Sequence, residues 1–298
     1  MQEFAYQQKL MGTTATVSVI VEPETEGDKI AAEIFSQIKD YENRFSRFIP
    51  GSELSELNNK KSLVVSDIFL TVLKRSIELS RETNGAFNPL IQIERQGYSE
   101  DYTNLEKELA SVTTDKYNLN LSNITIDEKT GLVILQPDQK LDFGGILKGY
   151  LATKLAQAIF KKYESTIGGL IINIGGDLHT MGLDSTGKHF EFYLYNPVTE
   201  SETPLPFKDT SLTTSGTYKR TWTVAGNKRH HILAKDGLHN PVTNIISASI
   251  IHKDGALAEA YATMAIVSGI EALEKLLEKT DFKYFTVRTD GTTLTNIV

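Results

Sequence analysis

The sequence predicts a single α+β domain over residues 1–298, in which largely antiparallel sheets are flanked by helices. Strand-like and helix-like segments are mixed without the strict alternation of a parallel α/β fold. No segment is long enough or polar enough to be a disordered linker, and no repeat of 20 to 50 residues is present. The length of 298 residues, with 40% hydrophobic residues, is sufficient for one large core.

The first half of the chain supplies a strand, two helices and a hairpin. Alternation of small or polar residues with apolar ones predicts a strand over 13–21. Apolar residues at helical spacing predict helices over 28–45 and 66–82, the second with Ser66 as its N-cap and Asn84-Gly85 at its end. Two short apolar segments, 124–127 and 132–136, are separated by a turn sequence and predict a hairpin.

The second half alternates helices with buried strands. Helices are predicted over 146–162, 254–268 and 270–279, with Asp254 capping the second of them. Buried strands are predicted over 170–174 and 247–252, and strands and turns over 189–223. A final hairpin is predicted around Asp290-Gly291.

Composition excludes several classes of function. The net charge of -7 argues against non-specific binding to nucleic acid, which requires a basic surface. With no cysteine, disulfides, thiolate metal sites and cysteine nucleophiles are excluded. No hydrophobic run approaches the length of a transmembrane segment. The common phosphate-loop, dinucleotide-binding, zinc-protease and serine-hydrolase motifs are also missing from the sequence.

Four segments combine small residues with oxygen or ammonium groups. A backbone of small residues allows a bulky ligand to approach closely, and the polar groups can hold phosphate or a hard metal ion. Together they predict a site for a phosphate-rich nucleotide. The segments are 141–149, 172–177, 213–218 and 258–263.

A metal site is one interpretation of the last segment. Glu259 and Thr263 are four residues apart on a predicted helix, so their side chains share one face. A carboxylate, a hydroxyl and backbone carbonyls suit Mg²⁺, which retains waters or phosphate oxygens in its shell. The alternative is that both side chains face water or the backbone.

Other polar residues allow two interpretations each. Lys148 at a helix start favours phosphate but is also compatible with a solvated lysine. Asp142 either serves a ligand or caps the turn before Gly144-Gly145. His231, in a predicted strand, is either an acid or base or a structural residue. Phe45, Phe48 and Phe87 either stack on an aromatic ligand or belong to the core.

In their order and spacing, these segments resemble the ApbE family of flavin transferases, the FAD:protein FMN transferases. The resemblance extends from Met11 to Thr263 and therefore covers most of the chain. The motifs that carry it are Met11-Gly12-Thr13, Phe45-Ser46-Arg47-Phe48, Ser52-Glu53-Leu54, Leu57-Asn58, Gly85-Ala86-Phe87-Asn88-Pro89, Leu141 to Gly149, Asn173-Ile174-Gly175-Gly176-Asp177, Thr214-Ser215-Gly216-Thr217-Tyr218 and His231-Ile232-Leu233.

The resemblance implies transfer of FMN from FAD, the substrate, to a Thr or Ser hydroxyl of an acceptor flavoprotein. A phosphoester forms, AMP is released and Mg²⁺ is the cofactor. By position, Gly145 through its carbonyl, Glu259 and Thr263 would bind the metal, and His231 and Lys148 would be the catalytic residues. The residues implied to line the FAD site are Met11, Phe48, Ala86, Phe87, Asn88, Asp142, Lys148 and Leu233.

Three departures from the family pattern keep two other functions open. Glu259 and Asn88 stand where Asp is usual, and Ala234-Lys235 replaces Asp-Pro. The alternatives are hydrolysis of FAD to FMN and AMP, and FAD binding without catalysis. The absence of a signal peptide and of a cysteine for a lipid anchor favours a cytoplasmic location, whereas a trimmed mature domain would be extracytoplasmic.

Overall fold

The computed structural model describes residues 1–22, 24–98 and 108–297. Within these residues the helices are α1 (Glu24–Phe45), α2 (Glu53–Lys60), α3 (Asp67–Glu82), α4 (Leu147–Lys162), α5 (Gly255–Ser268) and α6 (Ile270–Glu274). The strands are β1 (Gln2–Leu10), β2 (Thr13–Val21), β3 (Ser62–Val64), β4 (Glu108–Leu109), β5 (Thr125–Asp127), β6 (Leu132–Ile134), β7 (Ile167–Ile174), β8 (Asp177–Gly182), β9 (Phe190–Tyr195), β10 (Glu202–Phe207), β11 (Ser211–Gly216), β12 (Thr221–Val224), β13 (Asn227–His230), β14 (Ile245–His252), β15 (Lys283–Arg288) and β16 (Thr293–Thr295).

An eight-stranded sheet with the order β1-β2-β7-β8-β11-β14-β15-β16 forms the centre of the fold. Its described strand pairs are antiparallel. Helices α1, α4 and α5 contact this sheet and form a layer beside it, since α4 also contacts both α1 and α5. The predicted α+β class with largely antiparallel sheets and flanking helices is thus confirmed; the pair of β4 and β12 is parallel. The bounds 1–298 of the domain stay a prediction, because residues 23, 99–107 and 298 lie outside the described part.

Several elements differ from the sequence prediction. Strand β1 was not predicted, because most of its side chains are exposed and its order comes from pairing with β2. Helix α2 was also missed, since its eight residues are too few for a clear periodic pattern. The helix predicted over 270–279 is α6 followed by a 3₁₀ turn, Lys275–Glu278. None of the described helices combines the length and apolarity needed to cross a membrane.

Helices α4 and α5 approach each other closely at Gly149 and Gly255. A Cβ added to either glycine would lie 2.3 Å from the carbonyl oxygen of the other. Such a distance is far below van der Waals contact, so only glycine permits this crossing. The crossing fixes the residues next to it, which include Lys148 on α4 and Glu259 one turn along α5.

A buried hydrogen-bond network ties the two helices to the sheet. The Thr153 hydroxyl accepts from the Gly255 amide at 3.0 Å and lies 2.8 Å from the Ser211 hydroxyl. Ser211 in turn lies 2.7 Å from Nδ1 of His179, and both side chains are buried. Burial lowers the pKa of His179 to about 4, so its imidazole is neutral at physiological pH. The network therefore joins α4, α5, β8 and β11 without introducing charge.

A second anchor positions the segment that leads into α4. Asn58 on α2 donates to the Leu141 carbonyl at 2.9 Å and accepts from the Leu141 amide at 2.7 Å. Phe143 packs edge-on against Phe45 and Phe69, with ring centroids 5.6 and 5.4 Å apart. Together the amide and the rings fix the segment whose next residues begin α4.

The close crossing predicts that Gly149→Ala destabilises the protein. We expect a loss of about 1–3 kcal/mol in the free energy of unfolding, because the added methyl group must push α5 away. Urea unfolding followed by circular dichroism measures the change. Gly51→Ala is the matched control, since a Cβ there meets no atom within 4 Å, and a change within about 0.5 kcal/mol is expected. Equal stability of the two variants would contradict the steric argument.

Candidate active site

Lys148 lies between two carboxylates where α4, α5 and β8 meet. Its Nζ is 2.5 Å from Oδ2 of Asp177 and 2.5 Å from Oε1 of Glu259. The side chains are 16%, 6% and 4% exposed, respectively. The other Glu259 oxygen accepts from the Gly149 amide at 2.9 Å. The two acids are thereby held in fixed positions beside the first turn of α4.

The charges of this cluster do not balance, because one ammonium faces two carboxylates. Burial lowers the pKa of Lys148, but Asp177 and Glu259 outweigh burial and raise the pKa above its ordinary value, so the lysine stays protonated. Burial raises the pKa of Glu259 to about 7; Lys148 opposes the rise and Asp177 adds to it. A further cation bound here would lower the cost of ionising Glu259.

Hydroxyl and amide groups surround the charged cluster. The Thr214 amide donates to Oδ1 of Asp177 at 3.2 Å. The Ser215 hydroxyl lies 3.4 Å from the Thr263 hydroxyl, which is one turn beyond Glu259 on α5. Strand β11 therefore brings two residues of the predicted nucleotide site to the same place as α5.

The donors at this place suit a hard divalent cation. Within the described ranges, no cluster of three His, Cys, Asp or Glu residues forms a complete protein cage for a metal. Mg²⁺ does not require one, since it is commonly bound by one or two carboxylates together with substrate phosphates. Glu259 and Asp177 supply the carboxylates, and Thr263 supplies a hydroxyl. Gly145 lies near the Phe87 ring, where an added Cβ would be 3.2 Å from that ring.

The sequence predicted that His231 lies inside a strand. In the structure it lies just after the end of β13. Its Nδ1 is shielded from solvent and has no hydrogen-bond partner among the described residues. Burial, followed by the charges of Arg220, His230 and Lys148, lowers the pKa of His231 to about 3. His231 is therefore a neutral imidazole, and its Nδ1 has no hydrogen-bond partner among the described residues.

Two predicted FAD-site residues, Phe48 and Asp142, meet through Arg47. Phe48 is 44% exposed, and its ring centroid is 4.3 Å from the guanidinium carbon of Arg47. Asp142 accepts from the Gly144 amide at 2.7 Å through one oxygen and lies 3.3 Å from Nε of Arg47 through the other. Asp142 therefore caps the turn and also forms an ion pair, so its two oxygens point in fixed directions.

Other predicted FAD-site residues have mainly structural contacts. Ala86, Phe87 and Leu233 are buried, and the Phe87 amide donates to Thr83 at 3.2 Å. Asn88 uses its side-chain amide to donate to the Leu119 carbonyl at 3.0 Å and to accept from the Leu90 amide at 2.9 Å.

Met11 is located in the turn between β1 and β2. It has a positive φ of 54°, and its amide donates to Glu42 at 2.6 Å. Its contacts therefore lie with α1, whereas the charged cluster consists of Lys148, Asp177 and Glu259. The roles assigned to all of these residues by resemblance stay predictions.

Sequence reasoning assigned no role to Asp177, Arg47 or Tyr98. Asp177 follows Gly175 and Gly176, both with positive φ, and this turn places its carboxylate at the start of β8. A carboxylate directly after a glycine pair in a chain with a predicted phosphate site was a usable signal. Arg47 and Tyr98 are 51 residues apart and meet only in the folded chain, where Arg47 donates to the Tyr98 carbonyl.

Comparison with known proteins identifies the family. The model of the ApbE family matches residues 11–286, and this chain belongs to that family. It is 24% identical over 279 residues to the FAD:protein FMN transferase of Klebsiella pneumoniae, covering 90% of this chain and 83% of that protein. It is 26% identical over 309 residues to the protein of the same name from Haemophilus influenzae. That match covers 95% of this chain and 86% of the relative.

Solved structures show the same fold. Superposition on the crystal structure of the ApbE protein of Thermotoga maritima gives a TM-score of 0.84 at 22% identity, covering 98% of this chain and 96% of that one. Superposition on the flavin transferase ApbE of Vibrio cholerae gives a TM-score of 0.81 at 21% identity. It covers 99% of this chain and 96% of that one. The fold is thus common to this chain and to proteins whose sequences have diverged widely.

The raised pKa of Glu259 predicts a specific pH dependence of stability. Its folded pKa of about 7 exceeds the ordinary 4.5, so its contribution is fully present below about pH 4.5 and is lost as the pH rises through about 7. Glu259→Gln removes this titration. The unfolding free energy of the variant relative to wild type should therefore rise by about 1–3 kcal/mol between pH 5 and pH 8.

Urea unfolding of both proteins at several pH values measures this difference. Glu164→Gln, which replaces an exposed glutamate in the same way, serves as the control. Parallel profiles for wild type and Glu259→Gln would show that Glu259 does not titrate in this range.

Proposed function

We propose that this protein transfers FMN from FAD to a Thr or Ser hydroxyl of an acceptor flavoprotein, with formation of a phosphoester and release of AMP. The observation that carries the proposal is the buried cluster of Lys148, Asp177 and Glu259, bordered by the Ser215 and Thr263 hydroxyls. Membership of the ApbE family, together with relatives named FAD:protein FMN transferase, supports this interpretation.

In the proposed reaction, one bond to phosphorus forms and another bond to the same phosphorus breaks. The acceptor oxygen bonds to the phosphorus of the FMN half, and the bond from that phosphorus to the bridging oxygen breaks, so AMP leaves with the electron pair. The hydroxyl proton must be removed, and neutral His231 is the candidate base or orienting group by its position in the family motif. Such transfers depend on positioning and charge neutralisation more than on covalent chemistry by the enzyme.

Lys148 provides permanent positive charge beside the first turn of α4. Because Asp177 and Glu259 keep it protonated, its charge does not vary with pH in the physiological range. The amide groups at a helix N-terminus also favour phosphate. We therefore assign Lys148 to binding the pyrophosphate and to holding the two acids in place.

We further propose that Mg²⁺ is bound by Glu259, Thr263 and the Gly145 carbonyl, with Asp177 as a neighbouring acid. When bound, the ion neutralises negative charge on the pyrophosphate. Glu259 is one methylene longer than the aspartate usual in the family, and one of its oxygens accepts a hydrogen bond from the Gly149 amide at 2.9 Å. Phe48, Asp142, Phe87, Ala86, Leu233, Asn88 and Met11 are proposed to line the FAD site.

Product analysis tests the proposed reaction. Purified protein with FAD and Mg²⁺ is assayed for AMP by chromatography, and a flavoprotein with the Ser/Thr target motif is followed by in-gel flavin fluorescence after denaturation. We expect AMP and covalent flavin to appear together. Glu259→Ala should lower both rates by about 10²-fold or more, because a proposed ligand of the Mg²⁺ that neutralises the pyrophosphate is removed. Glu259→Asp should retain activity within about tenfold of wild type, since the carboxylate remains.

The other outcomes identify the alternatives. AMP with free FMN, even when a competent acceptor is present, would indicate hydrolysis. Bound FAD without AMP would indicate a binding protein. Glu164→Ala, which removes an exposed glutamate after α4, is the control and should leave both rates unchanged.

Metal binding is tested separately by thermal unfolding without FAD. Mg²⁺ should stabilise wild type by RT ln(1 + [Mg²⁺]/Kd), about 2.7 kcal/mol at 100 times Kd. The stabilisation should be larger at pH 8 than at pH 5, because the ion binds the ionised form of Glu259. Glu259→Gln should lose most of it. Equal stabilisation of wild type and variant would place the metal elsewhere.

A further inference from the structure

Arg47 is held by three polar contacts at the end of α1. Its Nε lies 3.3 Å from Oδ2 of Asp142, and its Nη2 donates to the Tyr98 carbonyl at 2.8 Å. Its Nη1 is 3.8 Å from Oε2 of Glu94, which is also paired with Lys140 at 2.5 Å. All three guanidinium nitrogens thus have a partner, and the side chain is only 12% exposed. The guanidinium plane is therefore fixed.

The same guanidinium contacts two aromatic rings. Its carbon lies 4.3 Å from the ring centroid of Phe48 and 5.3 Å from that of Tyr98. Phe48 is largely exposed, whereas Tyr98 is buried. Arg47 consequently joins a ring at the surface to a ring in the interior, and such cation–π contacts are stronger when they are partly desolvated.

Tyr98 extends these contacts towards His231. The Tyr98 ring centroid is 6.5 Å from that of His231 and 5.7 Å from that of Trp222. Trp222 is fixed by a hydrogen bond of 2.8 Å from its Nε1 to the Gln96 carbonyl. A continuous set of contacts therefore runs from Phe48 through Arg47 and Tyr98 to His231.

We propose that Arg47 is a positioning residue that holds Asp142, Phe48 and Tyr98 as one wall of the FAD site and thereby orients His231. The proposal rests on the proposed function, because it concerns the binding of FAD. Arg47 also neutralises Asp142, which would otherwise present a negative charge to an anionic dinucleotide. Lysine cannot replace it, since an ammonium lacks the planar group that reaches Asp142 and the Tyr98 carbonyl from different nitrogens and lies against two rings.

Arg47→Ala tests the proposal, with Arg95→Ala as the matched control. Arg95 also contacts an aromatic ring, 4.7 Å from the Tyr117 centroid, and donates to a carbonyl, that of Asp115, at 3.1 Å. Quenching of flavin fluorescence gives the Kd for FAD, and the transfer assay gives KM and kcat. We expect Arg47→Ala to weaken FAD binding about tenfold or more. Arg95→Ala should remain within about twofold of wild type.

Two further readouts separate positioning from general destabilisation. Ethylguanidinium ion should restore FAD binding to Arg47→Ala but have no effect on Arg95→Ala, because it replaces the missing group. Trp222 is the single tryptophan of the chain and neighbours Tyr98, so its emission should change in Arg47→Ala and recover with ethylguanidinium. Arg47→Lys should bind FAD more weakly than wild type despite its retained charge.

These experiments distinguish failure of the positioning role of Arg47 from failure of the proposed function. Tight FAD binding by wild type without AMP release would overturn the transferase, while the Kd values would still decide the role of Arg47. Unchanged FAD affinity in Arg47→Ala would overturn the positioning role even if transfer by wild type is normal. Equal losses of FAD affinity in Arg47→Ala and Arg95→Ala, with no restoration by ethylguanidinium, would also overturn the positioning role.

Discussion

The close crossing of α4 and α5 at Gly149 and Gly255 is the constraint on which the candidate site depends. It brings the Gly149 amide within hydrogen-bond distance of Glu259 and so places an acid of one helix on the backbone of the other. The network of Thr153, Ser211 and His179 holds the same crossing against the sheet. A wider separation of the helices would remove Lys148 from one of its two carboxylates.

This arrangement buries the charged groups of Lys148, Asp177 and Glu259, and removing charged groups from water costs free energy. Isolated buried charges are strongly disfavoured, and an ion pair recovers that cost only if its geometry and hydrogen bonds are nearly complete. Here Lys148 faces two acids, and burial leaves Glu259 with a raised pKa. Functional sites commonly contain such perturbed groups, because the ligand or metal supplies what the free protein lacks. When both acids are ionised the cluster has one excess negative charge, and this favours a cationic ligand.

The site has two parts with different physical character. One is the charged cluster around Lys148, which suits a pyrophosphate and a divalent ion. The other is the set of contacts among Arg47, Phe48, Tyr98 and Asp142, which we propose as a wall of the FAD site and which combines an exposed ring, a buried ring and a fixed carboxylate. A flavin dinucleotide has the same two parts, an aromatic ring system and a charged pyrophosphate. His231 lies at the interior end of the second part, with its ring centroid 6.5 Å from that of Tyr98.

The sequence by itself determined the α+β class, most of the long helices and buried strands, and the four segments that resemble the ApbE family. These features follow from local periodicity, caps and glycine turns, which neighbouring residues encode. Only the tertiary structure decided that Asp177 joins Glu259 on Lys148, and that Arg47 reaches Asp142 and Tyr98. It also decided that β1 is a strand, since its exposed residues are ordered by pairing with β2. Such contacts join residues that are distant along the chain, and their geometry is set by packing, which no local pattern contains.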